Sequence, residues 1–307
     1  MFTDAHAPQT IVLTEHNNSD ETMTERVNYI DLIKHKPLLA GLSAFQLFKY
    51  LIYTLLTYNL YLFVLEDTGS IPGAYPEGVN TDNFVEIYSA SIDTASWVLL
   101  LLIFELETAI LSDERLKSWQ GYLLSAIKAV CYAVICYAFY GYLSKYFSVT
   151  NVVDISISNA CSLSGQGWSL IQSLNEYPAL TGENCASLEA PLQKLNNTQI
   201  VGDSRSIGLL HNLAMVDVLN AGAWIVLVAL LQLEVILQLL QSLSEGFLRS
   251  SKYIKAVLYL MLLGAAIYWW IDGSFLDFWD AFLWLIAFIF IDLNILDWHE
   301  ETQEQGT

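Results

Sequence analysis

The sequence predicts an all-α polytopic membrane protein. Six transmembrane helices would form three repeated helical hairpins in a pseudo-threefold bundle, with a small disulfide-containing loop subdomain on the outer side. The first supporting observation is composition, since 54% of the 307 residues are hydrophobic, 15% are charged and the mean hydropathy is +0.43. A soluble domain is about 45–50% apolar and about 25% charged. The second is the grouping of the apolar residues into blocks, and the third is an internal repeat.

Six apolar blocks of about 18–25 residues predict the membrane spans. A helix rises about 1.5 Å per residue, so each block is long enough to cross a hydrocarbon core about 30 Å thick. The blocks lie near 42–65, 90–111, 122–144, 219–241, 254–271 and 279–296. They divide the chain into a polar acidic tail (1–37), helices one to three (38–147), a loop subdomain (148–210), helices four to six (211–296) and a second acidic tail (297–307).

Basic residues orient the chain in the membrane. Ten of the 13 lie on one side of the predicted bundle, and only Lys145, Lys194 and Arg205 lie on the other. The positive-inside rule makes the ten-base side cytoplasmic. We therefore expect a multi-pass protein of the cell membrane with both termini in the cytoplasm and 148–210 outside. Cys161 and Cys185 fall in this outer segment, where disulfides form, and are predicted to pair.

The repeat consists of Trp, seven apolar residues, a polar residue, Leu and a second polar residue. Its copies begin at Trp97, Trp224 and Trp284. The two polar positions are Glu105 and Glu107, then Gln232 and Glu234, then Asp292 and Asn294. Asp93 and Asp280 precede their Trp by four residues, whereas Asp217, the acid nearest Trp224, is out of register by three. The Trp residues fit either an aromatic belt at the membrane surface or helix packing.

A second motif, Lys-x-x-x-Tyr, recurs on the intervening helices. It occurs as Lys49/Tyr53, Lys128/Tyr132 and Lys255/Tyr259. Each hairpin then has an outward Lys/Tyr helix followed by an inward Trp/acid helix. Hairpins joined in the same sense suggest parallel repeats around the membrane normal.

The second polar position has a predicted partner in the following hairpin. Glu107 precedes Lys128 by 21 residues, and Glu234 precedes Lys255 by 21. Acid and base then lie at similar depth across a tight turn, so we expect ion pairs that fix helix register. Asn294 has no following hairpin, and closure onto Lys49 would need only a hydrogen bond.

The first polar position, Glu105, Gln232 and Asp292, lies about 200° around the helix from the second. It should therefore face a central cavity or a partner chain. Carboxylate and amide oxygens suit hard cations such as H⁺, Na⁺, Mg²⁺ or Ca²⁺. The alternative is that hydroxyl groups satisfy these side chains in a dry interior. We predict no cofactor beyond a bound cation, and the sequence does not identify a metal.

These features favour a channel or secondary transporter for a small cation or proton-coupled solute. Glu105, Glu107, Glu234, Asp292, Gln232 and Asn294 would form its ion or proton relay, with Lys49, Lys128 and Lys255 as charge partners. The alternative is a non-catalytic membrane subunit that binds partner chains through Trp-rich helices and the outer loop. We expect no enzyme, because zinc-protease, hydrolase and nucleotide-binding motifs are missing. Expected partners are the lipid bilayer, further copies of the chain or other membrane subunits, and the net charge of −19 excludes nucleic acid.

Overall fold

The structure is a computed structural model that describes residues 37–39, 42–75, 77–107, 119–157, 159–240 and 244–288. The chain divides into two compact units, Met1–Leu51 and Ile52–Thr307. In the described part of the first unit, strands β1 (Pro37–Leu39) and β2 (Leu42–Ser43) pair antiparallel. Most of both predicted tails lies outside the described residues.

Seven helices are described along the chain. They are α1 (Ala44–Ala74), α2 (Phe84–Ile87), α3 (Ser89–Glu105), α4 (Trp119–Thr150), α5 (Ser204–Leu239), α6 (Glu245–Asp272) and α7 (275–288). By length and composition, Gln46–Ala74, Trp119–Thr150, Ser204–Glu234 and Glu245–Asp272 could each cross a membrane. These four helices indicate a membrane protein. The second and sixth predicted spans correspond to α3 and α7. Residues 108–111 and 289–296 of these spans lie outside the described residues, so six spans remain a prediction.

The helices of the second unit enclose an apolar core around Phe288. The rings of Trp97, Trp224 and Trp284 are 6.3, 4.7 and 6.2 Å from the Phe288 ring, centroid to centroid. All three Trp side chains are buried. Of the two interpretations of these Trp residues, the structure therefore favours helix packing over a lipid-facing belt. Leu101 and Leu227 continue the same core along the helices.

The segment between α4 and α5 folds as a small β-sheet subdomain, which we call the loop subdomain (152–203). Its four strands are β3 (Val152–Asp154), β4 (Ser169–Leu170), β5 (Leu192–Leu195) and β6 (Ile200–Asp203), in the order β3-β5-β6-β4. Strands β4 and β6 are parallel, and the other neighbours are antiparallel. The predicted disulfide between Cys161 and Cys185 is present, with Cα atoms 4.9 Å apart.

A second apolar cluster attaches the loop subdomain to the helices. Ile171, Leu174 and Ile200 of the subdomain pack in it with Leu210 of α5 and Trp269 of α6. The subdomain therefore covers one end of the helical bundle. We call this the subdomain end.

Candidate functional site

Both ion pairs that the 21-residue spacing predicts are present. Lys128 Nζ lies 2.8 and 2.9 Å from the two carboxylate oxygens of Glu107. Lys255 Nζ lies 3.0 Å from Glu234 Oε2, and the Ser251 hydroxyl donates to the other oxygen. Each pair joins a residue near the end of one helix to a Lys about three turns into the next, toward the end of the bundle opposite the loop subdomain. These carboxylates are thus neutralised by neighbouring bases.

The described members of the first polar position, Glu105 and Gln232, line neither of the two cavities described below. Glu105 is buried, and the Tyr53 hydroxyl donates to its Oε2 at 3.3 Å. Gln232 is exposed and donates from Nε2 to the Tyr132 hydroxyl oxygen at 3.1 Å. In both cases the partner is the Tyr of a Lys-x-x-x-Tyr motif.

The remaining predicted site residues are Asp292, Asn294 and Lys49. Asp292 and Asn294 lie outside the described residues. Lys49 belongs to the first unit, where its Nζ lies 5.2 Å from the centre of the Tyr50 ring.

A different group of polar side chains surrounds a cavity of about 70 Å³ toward the subdomain end, which we call the acidic cavity. One water molecule needs about 10–15 Å³ of such space, so the cavity can hold several waters or a small ion. Among the described residues that line it, four are Asp and one is a base. They are Asp93 of α3, Asp217 of α5, Asp277 and Asp280 of α7, and Lys145 of α4.

The repeat register brings three of the lining residues together. Asp93, Asn220 and Asp280 each precede a repeat Trp by four residues, and all three line the acidic cavity. In the middle copy this position holds an amide in place of an acid, so a pattern restricted to acids passes over Asn220. Asn220 can be identified from sequence only by its position four residues before Trp224. No repeat position identifies Asp277 or Lys145.

Several carboxylates of the cavity are oriented by neighbouring polar groups. Asn59 Nδ2 donates to Asp280 Oδ1 at 2.9 Å. Asp93 lies beside the Trp97 indole and the Tyr142 hydroxyl. The Ser274 hydroxyl donates to Asp277 Oδ2 at 2.6 Å. These three acids are therefore held in place individually, each by its own neighbours.

Two buried polar atoms at the cavity have no hydrogen-bond partner among the described residues. They are Asn220 Oδ1, an acceptor, and Trp269 Nε1, a donor. Asp217 lies next to Trp269, but the indole makes no hydrogen bond of normal geometry within the described chain. An unpaired buried polar group costs about 1–3 kcal/mol, so such groups are normally satisfied by water or a ligand. Both residues line the acidic cavity, which makes it a site for a polar occupant.

Charge in this region is strongly unbalanced. Asp67 lies just beyond the cavity, buried, and accepts hydrogen bonds from the Ser91 amide at 3.2 Å and hydroxyl at 2.6 Å. Lys145 acts electrostatically on both Asp67 and Asp217. One ammonium cannot neutralise five carboxylates. An ionised group that is buried away from water is costly unless it is paired or hydrogen-bonded, so this excess of acids makes the region a candidate site for protons or a small cation.

A larger cavity of about 450 Å³ lies beside the loop subdomain, and we call it the vestibule. Its lining is mixed, with polar residues such as Tyr75, Glu86, Asn151 and Asn196 beside apolar ones such as Leu174. The Tyr75 hydroxyl donates to Glu86 Oε1 at 3.0 Å. Burial raises the pKa of Tyr75 well above its ordinary value, and the negative charge of Glu86 raises it further. The phenol therefore stays protonated and remains a hydrogen-bond donor.

The acidic cavity and the ion pairs are separate polar layers. Asp93 and Glu105 are twelve residues apart on α3, which corresponds to about 18 Å along the helix. Apolar side chains such as Leu101, Leu227 and Leu231 fill the core between them. The acidic cavity is thus bounded by packed apolar core on the side that faces the ion pairs.

No three His, Cys, Asp or Glu side chains within the described residues are close enough together to hold a metal ion. The chain matches no family model, and no curated protein or solved structure is detectably similar to it.

Proposed function

We propose that the protein is a membrane transporter for a small cation or a proton-coupled solute, and that the acidic cavity is its binding site. The observation that carries this proposal is the excess of carboxylates around a cavity large enough for several waters, which has a single Lys among its described lining residues. Either protons or a cation can neutralise the excess charge. A protein that moves H⁺ or a cation, or couples transport of a solute to either, needs a site at which the ion neutralises charge on the protein.

The apolar core beside the cavity favours a transporter over an open channel. A channel conducts through a continuous polar path, whereas a transporter exposes one site to each side in turn. The side chains around Phe288 close the cavity toward the ion-paired end of the bundle. We therefore assign the described conformation to a state that is closed on that side.

The three-hairpin arrangement with six spans is part of the proposal. Convergence of Trp97, Trp224 and Trp284 on one ring supports it. So do the two equivalent ion pairs, which link successive hairpins. In this arrangement the pairs set helix register, and the acidic cavity takes over the relay role that the repeat pattern predicts for Glu107 and Glu234.

The predicted orientation is also proposed, with both termini cytoplasmic and the loop subdomain outside the cell membrane. The disulfide supports it, because disulfides persist in oxidising compartments. The vestibule then opens toward the outer side, and the ion pairs lie toward the cytoplasm.

The experiment that tests the proposal is ion flux in liposomes reconstituted with the full chain. Uptake of Na⁺, K⁺ and NH₄⁺ and the movement of H⁺ are measured for wild type, Asp93→Asn, Asp280→Asn and the double variant. Asp272→Asn is the matched control, because Asp272 is an exposed residue at the end of α6 that does not line the cavity. We expect at least a tenfold loss of flux in the double variant and wild-type flux in the control.

Two outcomes contradict the proposal. Flux that is unchanged in the folded double variant removes the acidic cavity as the site. Absence of flux for all four ions in wild type removes the protein as a transporter of these monovalent cations.

The alternative function, a non-catalytic membrane subunit, has one observation in its favour. Gln232 is exposed on the bundle surface, where its side chain bonds to the Tyr132 hydroxyl. A polar pair that faces lipid is a candidate contact for another membrane chain. Co-purification of a partner that is lost in Gln232→Leu, together with absence of flux, would favour this function.

A further inference from the structure

We propose that the turn 172–176 of the loop subdomain is the outer gate of the acidic cavity, and that the Asn175 side chain closes it. The inference rests on the proposed function, because a gate matters only if the cavity exchanges its occupant. It adds the route by which a small cation reaches the site, namely through the vestibule and past Asn175.

The two cavities meet at two described residues. Lys145 and Asn175 line both the acidic cavity and the vestibule. The vestibule is the larger of the two, and the polar side chains in its mixed lining can contact a hydrated ion. A cation that passes from one cavity to the other must therefore pass this pair.

Hydrogen bonds at both ends of the Asn175 amide hold it between two helices. Lys145 Nζ, on α4, donates to Asn175 Oδ1. Asn175 Nδ2 donates to Glu66 Oε1, on α1, at 2.8 Å. The amide thus bridges a cation and an anion, and this bridge lies where the two cavities meet.

The turn that carries Asn175 is anchored firmly enough to position it. Its backbone is closed by bonds from the Gln172 and Ser173 amides to the Glu176 carbonyl, at 3.0 and 3.3 Å. Leu174 is buried in the cluster that joins the loop subdomain to the bundle. Asn175, which follows this buried Leu, is the residue of the turn whose side chain bonds to α1 and α4.

Lys145 connects the gate to the charge state of the cavity. It bonds to Asn175 but is also attracted by Asp67 and Asp217. A cation that arrives in the cavity weakens that attraction and favours the bond to Asn175, which closes the gate behind it. An empty, ionised cavity draws Lys145 away from Asn175 and loosens the gate.

The test measures access to the acidic cavity directly, without transport. Ser89 lines the acidic cavity and Ser148 lines the vestibule. Each is replaced by Cys in full-length protein in which the free Cys131 and Cys136 are replaced by Ser. Labelling by a small cationic methanethiosulfonate is followed by mass spectrometry. We expect rapid labelling in Ser148→Cys and slow labelling in Ser89→Cys.

The gate variant is Asn175→Ala, with Asn175→Ser as a milder second change. Either should raise the labelling rate of Ser89→Cys at least tenfold and leave that of Ser148→Cys unchanged, which also reports that the fold is intact. Ser173→Ala is the matched control, because Ser173 lies on the same turn but lines neither cavity. It should leave both rates unchanged.

If Ser89→Cys is labelled at the same rate in the presence of Asn175 and in the Asn175→Ala variant, the gate proposal is wrong. Accelerated labelling in the control as well as in Asn175→Ala also overturns it, since any loosening of the turn would then be sufficient. The outcome is separable from that of the proposed function. If liposomes show no flux but Asn175→Ala accelerates labelling of Ser89→Cys, transport is contradicted and the gate is not. If flux is present but Asn175→Ala does not change the labelling rate, only the gate is contradicted.

Discussion

Asn59 of α1 donates a 2.9 Å hydrogen bond to Asp280 of α7, a residue 221 positions later in the chain. Asn59 is only 1% exposed. The bond therefore joins the first and last described helices inside the bundle. It also fixes one oxygen of a carboxylate that lines the acidic cavity, so the same contact serves the fold and the site.

Replacement of Asn59 by Leu should destabilise the protein by about 1–3 kcal/mol, because the change leaves a buried carboxylate oxygen without its donor. The free energy of unfolding in mixed detergent measures the effect. Asn212, exposed on α5, provides the control Asn212→Leu, which should change stability by less than about 0.5 kcal/mol. In an Asp280→Asn background the Asn59 effect should shrink, and strictly additive effects would contradict the coupling.

The ion pair between Glu107 and Lys128 leads to a second prediction. The Lys128 and Glu107 side chains are 30% and 20% exposed, so solvent screens the pair only in part. Glu107→Gln or Lys128→Met should each lower stability by about 1–3 kcal/mol, since each leaves one charge without its partner. The double variant should lose less than the sum of the two single losses. A double-mutant cycle in the same unfolding assay tests this, and a coupling energy near zero would remove the pair as a stabilising contact.

These ion pairs and the disulfide could be predicted from sequence because local regularities determine them. A residue near the end of one helix and a residue in the first three turns of the next are brought to similar depth by helix geometry alone, as for Glu107 and Lys128. Cys161 and Cys185 are the two Cys residues of the outer segment, so each has only the other to pair with there. Such contacts need no knowledge of how distant helices pack.

The acidic cavity could be predicted only in part. Hydropathy does not distinguish a core-facing from a lipid-facing Trp, because both surroundings are apolar, and Trp97 therefore had two interpretations. Asn220 carries no charge, so only its register position in the middle repeat relates it to Asp93 and Asp280. The bridge from Lys145 through Asn175 to Glu66 depends on how the loop subdomain docks, which no local pattern encodes.

Gly141 permits a close approach that any larger residue would prevent. A Cβ on Gly141 would collide with the Val85 carbonyl oxygen and would lie 3.0 Å from the Val85 carbonyl carbon and 3.1 Å from Ser89 Cβ. Because the Val85 atoms belong to the backbone, α4 would have to move. Gly141→Ala should therefore lower stability by about 1–3 kcal/mol, the range for overpacking.

Gly264 supplies a matched comparison for Gly141. It also lies within a long helix, α6, but a Cβ added there would meet no described atom of another element within 4 Å. Gly264→Ala should be neutral or stabilise by up to about 1 kcal/mol, because Ala has the higher helix propensity. Thermal unfolding of both variants is the measurement. If both variants are destabilised equally, the close contact between Gly141 and the Val85 backbone is not the cause of the stability loss.

Asp203 precedes α5 and caps it. Its Oδ1 accepts a 2.8 Å bond from the Ser206 amide, and its Oδ2 accepts a 3.4 Å bond from the Glu189 amide. Burial by itself raises the pKa of Asp203, but the bonds from Ser206, Glu189 and Arg205 outweigh it and leave the pKa below the ordinary 3.8. A carboxylate whose pKa is lowered by folding stabilises the folded state above its unfolded pKa, and this contribution is lost as the pH falls through the folded pKa.

The wild-type chain should therefore be more stable than Asp203→Asn by a constant amount from about pH 7 down to about pH 4.5, since the unfolded carboxyl has a pKa of about 3.9. Below that pH the difference should shrink, because the wild-type carboxylate becomes protonated. Subtracting the two melting curves at each pH cancels the titration of the other acids. Asp203→Ala removes the cap altogether and should be less stable by about 0.5–2 kcal/mol at neutral pH. A difference between wild type and Asp203→Asn that stays constant down to about pH 3, or grows in acid, would contradict the assignment of the lowered pKa to these bonds.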